Sequence, residues 1–254
     1  MSAKSKITTS KKRIVATTAA ASSSRDKTKG FLLPQHLQTI TPMTETQRAF
    51  VSAYDAGGEA FVLHGVAGTG KTFIALYKAL QDVIVKSAAR RVILIRSSVP
   101  SRDIGFLPGD ADEKMGAYHR PYMDICARLF KHPQAYEKLA MQEQLEFWST
   151  SFVRGVTLDH AVIVVDECQN MTDMELNSIM TRVGAGSKIL FCGDFRQTDL
   201  YKKSDASGLI EFMDTVSKMP QFAIFEFGVD DIVRSPLVKS YILARLAIKD
   251  AQQR

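Results

Sequence analysis

The chain has 254 residues, 45% of them hydrophobic and 24% charged, with a formal net charge of +6. That size and balance suit one α/β domain or two small ones, with enough core to fold without covalent staples. No run of about 18 apolar residues occurs, and the amino terminus lacks the basic-then-apolar order of a secretory signal. These features exclude a membrane-spanning helix and favour the cytoplasm. Cys126, Cys168 and Cys192 form no CxxC pair, which reads as reduced thiols.

Residues 1–30 hold eight Lys and Arg against the single acid Asp26, while the remainder holds 25 basic and 26 acidic residues. The charge therefore belongs to a leader with almost no large apolar side chains, expected to be disordered. Either that leader adds non-specific affinity for nucleic-acid phosphates, or it is a solvated tail. No aromatic residue interleaves its charges to stack on bases. Residues 31–254 are expected to form a single domain. Thr44-Glu-Thr-Gln47 signals a helix start, with the helix running to about Tyr54 before the turn at Gly57-Gly58. Ala60–His64 reads as a buried strand, Lys71–Val85 as a helix and Val92–Ile95 as a strand. Residues 96–115 show no periodicity and contain Pro100, Gly105, Pro108 and Gly109, the mark of a functional loop.

Helices are expected over Lys114–Phe130 and Gln134–Phe147. Ala161–Val165 is a run of apolar residues typical of a central parallel strand. Thr172-Asp-Met-Glu175 is a capping box opening a helix to Val183. Strand Lys188–Cys192, helix Gly208–Ser217 and strand Ala223–Phe227 follow. Ser235-Pro236 then starts a helix reaching about Lys249. Strands alternating with helices imply a mostly parallel sheet with helices on both faces.

Gly65-Val66-Ala67-Gly68-Thr69-Gly70-Lys71-Thr72 satisfies the G-x-x-x-x-G-K-[ST] pattern between a strand and a helix. Glycines let the backbone bend so that its N–H groups line one concavity, which the helix N-terminus makes more positive. Lys71 is a point charge for the β- and γ-phosphates of ATP, and the Thr72 hydroxyl suits Mg²⁺. Such a site needs an acid at a neighbouring strand end. Ala161–Val165 runs into Asp166-Glu167, placing that pair on the same sheet edge. Asp166 fits the Mg²⁺ side, and Glu167 fits the base that deprotonates water, which favours hydrolysis over a kinase. Gly193-Asp194-Phe-Arg196-Gln197 closes another strand. Its Gln197 suits contact with the γ-phosphate or the attacking water; the alternative is a polar turn.

These three signals together resemble the PhoH-like family of P-loop ATPases, which is related to superfamily one helicase cores. Further stretches fit: Met43-Thr44-Glu-Thr46-Gln47, Arg96-Ser-Ser-Val-Pro100, Gly105-Phe-Leu-Pro-Gly109, Glu113-Lys114, Val165-Asp-Glu-Cys-Gln-Asn170 and Asp231-Ile-Val-Arg234-Ser. The resemblance covers about residues 40–245. It implies a three-layer, RecA-like P-loop NTPase fold. It implies Gln47 as a reader of adenine, besides its place in the helix cap. It implies Arg234 as an arginine finger; the alternative is an ordinary surface residue. Cys168 stands where the family usually has Ala, Cys192 where Thr is usual, and Ser97 where Pro is frequent.

His64, His119 and His160 lack the spacing of a transition-metal site. Trp148, Phe147 and Phe152 are read as core. Tyr118 and Tyr122 flank Arg120, either packing the core or touching a nucleic-acid strand. The resulting expectation is an ATPase using ATP and Mg²⁺, coupled to remodelling of single-stranded RNA or DNA. The alternative is a nucleotide-gated regulatory protein that hydrolyses slowly and unwinds nothing. Helicase cores normally pair two such domains. One domain here therefore implies that a neighbouring subunit supplies the finger, within a homo-oligomer such as a hexameric ring.

Overall fold

Six short apolar runs build one parallel sheet. The computed structural model describes residues 30–97, 111–194 and 203–252. The basic leader, the stretch 98–110 and Gln197 lie outside the described residues. The strands are β1 (Ala60–Gly65), β2 (Arg91–Arg96), β3 (Leu145–Ser149), β4 (Ala161–Asp166), β5 (Lys188–Gly193) and β6 (Phe222–Phe227). Their order across the sheet is β3-β2-β4-β5-β1-β6, with every pairing parallel. The expected mostly parallel sheet is thus parallel throughout these strands.

Alternate residues of each strand point to opposite faces. Phe61, Leu63, Leu94, Val164 and Leu190 join one buried cluster with α1 (Glu45–Asp55), α2 (Lys71–Leu80), α3 (Ala111–Phe130) and α4 (Ala135–Met141). Val62, Ile93, Ile163 and Phe191 join the other with α5 (Asp173–Met180) and α6 (Lys203–Ser217). Helices on both faces of a parallel sheet make a three-layer, RecA-like α/β fold. The final helix, α7 (Pro236–Gln252), leaves Leu237, Tyr241 and Ile248 81%, 65% and 52% exposed. Among the described residues, no helix is long and apolar enough to cross a membrane.

The caps form as their sequences suggest. The Thr44 hydroxyl accepts from the Gln47 N–H, and Thr172 and Glu175 complete a reciprocal capping box. Three expectations are corrected. The helix expected over Gln134–Phe147 stops at Met141; Glu143 takes φ 57°, and Leu145–Ser149 becomes edge strand β3. Local preference there allows a helix, but β2 offers unpaired edge groups that the segment satisfies. The helix expected to reach Val183 ends at Met180, and Val183 bridges to Leu158. Phe152, expected in the core, is 60% exposed.

The α2 helix widens into a π turn over Gln81–Val85, which carries the buried Asp82. Asp82 accepts hydrogen bonds from Tyr54 and Lys188, each at 2.9 Å, and lies 3.2 Å from Lys86. Burial alone would raise its pKa, but the Lys188 and Tyr54 hydrogen bonds bring it below the ordinary value of 3.8. A depressed folded pKa stabilises above the unfolded value and loses that contribution as pH falls through the folded one. Lys188→Met is therefore expected to cost about 3 kcal/mol near neutral pH. Thermal unfolding down to about pH 2 should show wild type and variant converging below 3.8.

Candidate functional site

The parallel register brings four strand ends to one edge. His64 pairs with Gly193, Val165 with Phe191, and Arg96 with Asp166. Strand β5 lies between β1 and β4, so the P-loop and the Asp-Glu end stand two strand spacings apart, about 10 Å.

The P-loop leaves β1 at Gly65, whose φ is +117°; a Cβ there would lie 2.2 Å from the Phe227 carbonyl oxygen. The Val66 N–H donates to that oxygen at 2.9 Å, fastening the loop to β6. Gly68 and Gly70 are also left-handed, and Gly70 caps α2. The Thr69 hydroxyl donates to the Val66 carbonyl at 3.0 Å. Ala67 is half-buried. The Lys71 ammonium donates to the carbonyls of Gly65 and Val66 at 2.9 and 2.8 Å. Burial lowers the Lys71 pKa, opposed by Asp194, Cys192, Glu167 and Asp166. A bound anion would strengthen that opposition and hold the lysine charged.

The Thr72 hydroxyl donates to Asp166 Oδ1 at 2.7 Å, and the Tyr122 hydroxyl donates to Asp166 Oδ2 at 2.8 Å. Asp166 is only 6% exposed. Burial raises its pKa and so does Glu167, while Thr72, Tyr122 and Arg96 act to keep it charged. The hydroxyl and carboxylate form an oxygen-only pair beside the loop, which fits a small hard cation. Among the described residues, no group of three or more His, Cys, Asp or Glu could hold a metal. Two protein oxygens do not enclose such a cation by themselves, and Mg²⁺ in general takes one or two carboxylates together with phosphate and water.

Glu167 sits in the left-handed region at φ 53°, costly for a residue with a Cβ. Its carboxylate accepts from Gln169 Nε2 at 2.5 Å. The carbonyl of that same amide accepts from the Asp194 N–H at 3.1 Å. Gly193 permits the approach, since a Cβ there would lie 2.6 Å from Gln169 Oε1 and 2.7 Å from Cys168 Sγ.

Gln47 is buried, and both ends of its amide are engaged. Nε2 donates to the Thr69 carbonyl at 2.9 Å and Oε1 accepts from the Met43 N–H at 2.8 Å. It braces the loop; contact with adenine would require those bonds to be exchanged. Arg234, expected as an arginine finger, is exposed at the surface of the chain. Its side chain lies over its own P-loop, with Cγ 2.9 Å from where a Cβ on Gly68 would stand. Two contacts hold the segment there. Asp231 accepts from the Thr46 hydroxyl at 2.9 Å, and the Val233 N–H donates to the Gly68 carbonyl at 3.1 Å.

Sequence reasoning missed Gln169 and the role of Tyr122 beside Asp166. Gln169 stood in the quoted Val165–Asn170 stretch, so its proximity to Glu167 was available. Tyr122 lies 44 residues from Asp166, and no local pattern joins them.

Relatives place this edge in context. The PhoH-like protein of Mycobacterium leprae strain TN is 36% identical over 206 residues, covering 81% of this chain and 58% of that protein. The PhoH-like protein of Bacillus subtilis strain 168 is 34% identical over 208 residues, covering 82% of this chain and 64% of that protein. The chain thus spans less than two thirds of the length of these curated relatives. Among solved structures, the large terminase of a thermophilic bacteriophage in complex with ADP aligns with a TM-score of 0.49 at 14% identity, over 79% of this chain and 49% of that one. Residues 39–245, which take in Gln47, the whole strand edge and Arg234, match the family described as PhoH-like protein, and the chain belongs to that family.

Proposed function

We propose that this chain is a magnesium-dependent ATPase whose turnover is coupled to remodelling of single-stranded RNA or DNA. The observation that carries the reading is the 2.7 Å bond between Thr72 and Asp166, which joins the P-loop helix to the acidic strand end. Lys71 exchanges the Gly65 and Val66 carbonyls for the β- and γ-phosphates. Thr72 and Asp166 would hold Mg²⁺, which would supply positive charge to offset that of the phosphates. Glu167 orients a water and takes its proton as the water attacks the γ-phosphate. Gln197 is assigned to the γ-phosphate or the attacking water, and Arg234 to offsetting the charge that develops there. The nucleic-acid part rests on the family's relation to helicase cores and on the basic leader. A homo-oligomer belongs to the proposal through the exposed apolar face of α7.

The second reading is a nucleotide-gated regulatory protein with slow hydrolysis. It is favoured by Lys71, whose seat on the loop's own carbonyls makes nucleotide binding a rearrangement. Phosphate release measured with and without single-stranded RNA and DNA separates the two. Stimulation of about tenfold or more by one polymer is expected, equivalent to about 1.4 kcal/mol off the barrier. Equal rates in all three conditions sink the coupling and leave the regulatory reading.

A further inference from the structure

We infer that Tyr122 is a positioning residue for the magnesium site, holding Asp166 from helix α3 so that one carboxylate oxygen stays fixed while the other serves the cation. The inference rests on the proposed metal role of Thr72 and Asp166.

Asp166 ends β4 with both carboxylate oxygens engaged from different elements. Thr72 on α2 takes Oδ1, and Tyr122 on α3 takes Oδ2. A carboxylate with one partner can turn about its terminal torsion, which is broad and soft. Two donors from separate helices remove that freedom. When a cation takes up the Thr72 hydroxyl oxygen, the bond to Oδ1 must adjust. The bond from Tyr122 to Oδ2 lies on the other side of the carboxylate and has no such demand on it.

Tyr122 is fully buried, so no water competes for its hydroxyl. Arg96, the β2 residue paired in register with Asp166, carries its positive charge close to both the Tyr122 hydroxyl and the Asp166 carboxylate. The guanidinium also sits 5.7 Å from the Tyr118 ring centroid. In that buried, low-dielectric setting the charge favours both the Tyr122–Asp166 hydrogen bond and the ionised carboxylate. Arg96 thus adds positive charge beside the phenol and the carboxylate. Partners of this kind, one step removed from the metal, typically change metal affinity by about 10- to 100-fold when lost.

Plain core packing is the competing role, since the Tyr122 ring also lies 5.8 Å from that of Phe147. Tyr122→Phe keeps the ring and removes only the hydroxyl, so it separates the two. The test uses the full chain and a fluorescent ATP analogue, with binding titrated by Mg²⁺ and repeated in excess chelator. Tyr122→Phe should need about tenfold more Mg²⁺ for half-maximal enhancement, with chelator-bound affinity unchanged. Arg96→Gln should shift the midpoint the same way by a smaller factor. Asp166→Asn is the reference and should abolish the Mg²⁺ enhancement. If Asp166→Asn does so while Tyr122→Phe matches wild type, the positioning role is overturned and the metal site stands. Loss of affinity in chelator by Tyr122→Phe would also overturn it, because the hydroxyl would then be serving the fold. An Asp166→Asn protein that responds to Mg²⁺ as wild type does overturns both.

Discussion

Glu167→Gln is expected to lower ATP turnover by about a hundredfold or more while leaving nucleotide affinity within about twofold of wild type. The substitution keeps shape and removes the one property the proposed step needs, a carboxylate that accepts a proton. The backbone gives Glu167 no easy alternative placement. It is held at φ 53°, and its side chain is tied to Gln169. An amide at position 167 can still accept from Gln169 through its own carbonyl, so the pocket should hold its form. Single-turnover phosphate release gives the rate and calorimetric titration gives the affinity. Turnover near the wild-type rate would remove Glu167 from the chemistry. Equal losses of rate and affinity would instead mark it as a structural residue.

Gly65→Ala should produce the largest loss of stability from a single methyl group at the site. The added Cβ meets the Phe227 carbonyl oxygen at 2.2 Å and the Phe227 nitrogen at 2.9 Å, both backbone atoms that cannot swing aside. The φ of +117° adds strain of its own. Relief requires β1 and β6 to part where Val66 is fastened to Phe227. About 3 kcal/mol is expected, which for a domain of this size lowers the melting temperature by roughly 6–12 °C. Gly155→Ala is the comparison. Its φ is also positive at +77°, but a Cβ there has nothing within 4 Å. It should cost about 1 kcal/mol. If thermal unfolding shows equal losses for the two, the close approach to β6 contributes nothing beyond backbone conformation.

The parts of the site that were legible are those coded over a few residues. The P-loop pattern, the apolar strand running into Asp166-Glu167 and the Thr172 capping box each carry their own geometry, so periodicity and spacing suffice. Strand β3 was misread because Glu143–Ser149 is locally compatible with a helix. The deciding fact is an open β2 edge some fifty residues earlier. Arg234 stood in a recognisable stretch, yet the contact of that stretch with the P-loop was not legible. That depends on Asp231 reaching Thr46 across 185 residues. Gln47 shows both halves of the problem. Its place in the α1 cap follows from spacing, whereas its bond to Thr69 requires the P-loop to lie alongside α1.

Gln169 gives the sheet edge a property that no single strand has. An amide is planar, so its carbonyl and its NH₂ group turn as one body. In this chain one end faces Glu167 and the other meets the first N–H beyond Gly193. A rotation that follows the glutamate withdraws the oxygen from Asp194. A shift of the chain after β5 tugs the nitrogen off the carboxylate. The two strand ends therefore share one rotor, and its position is a common variable for Glu167 and Asp194.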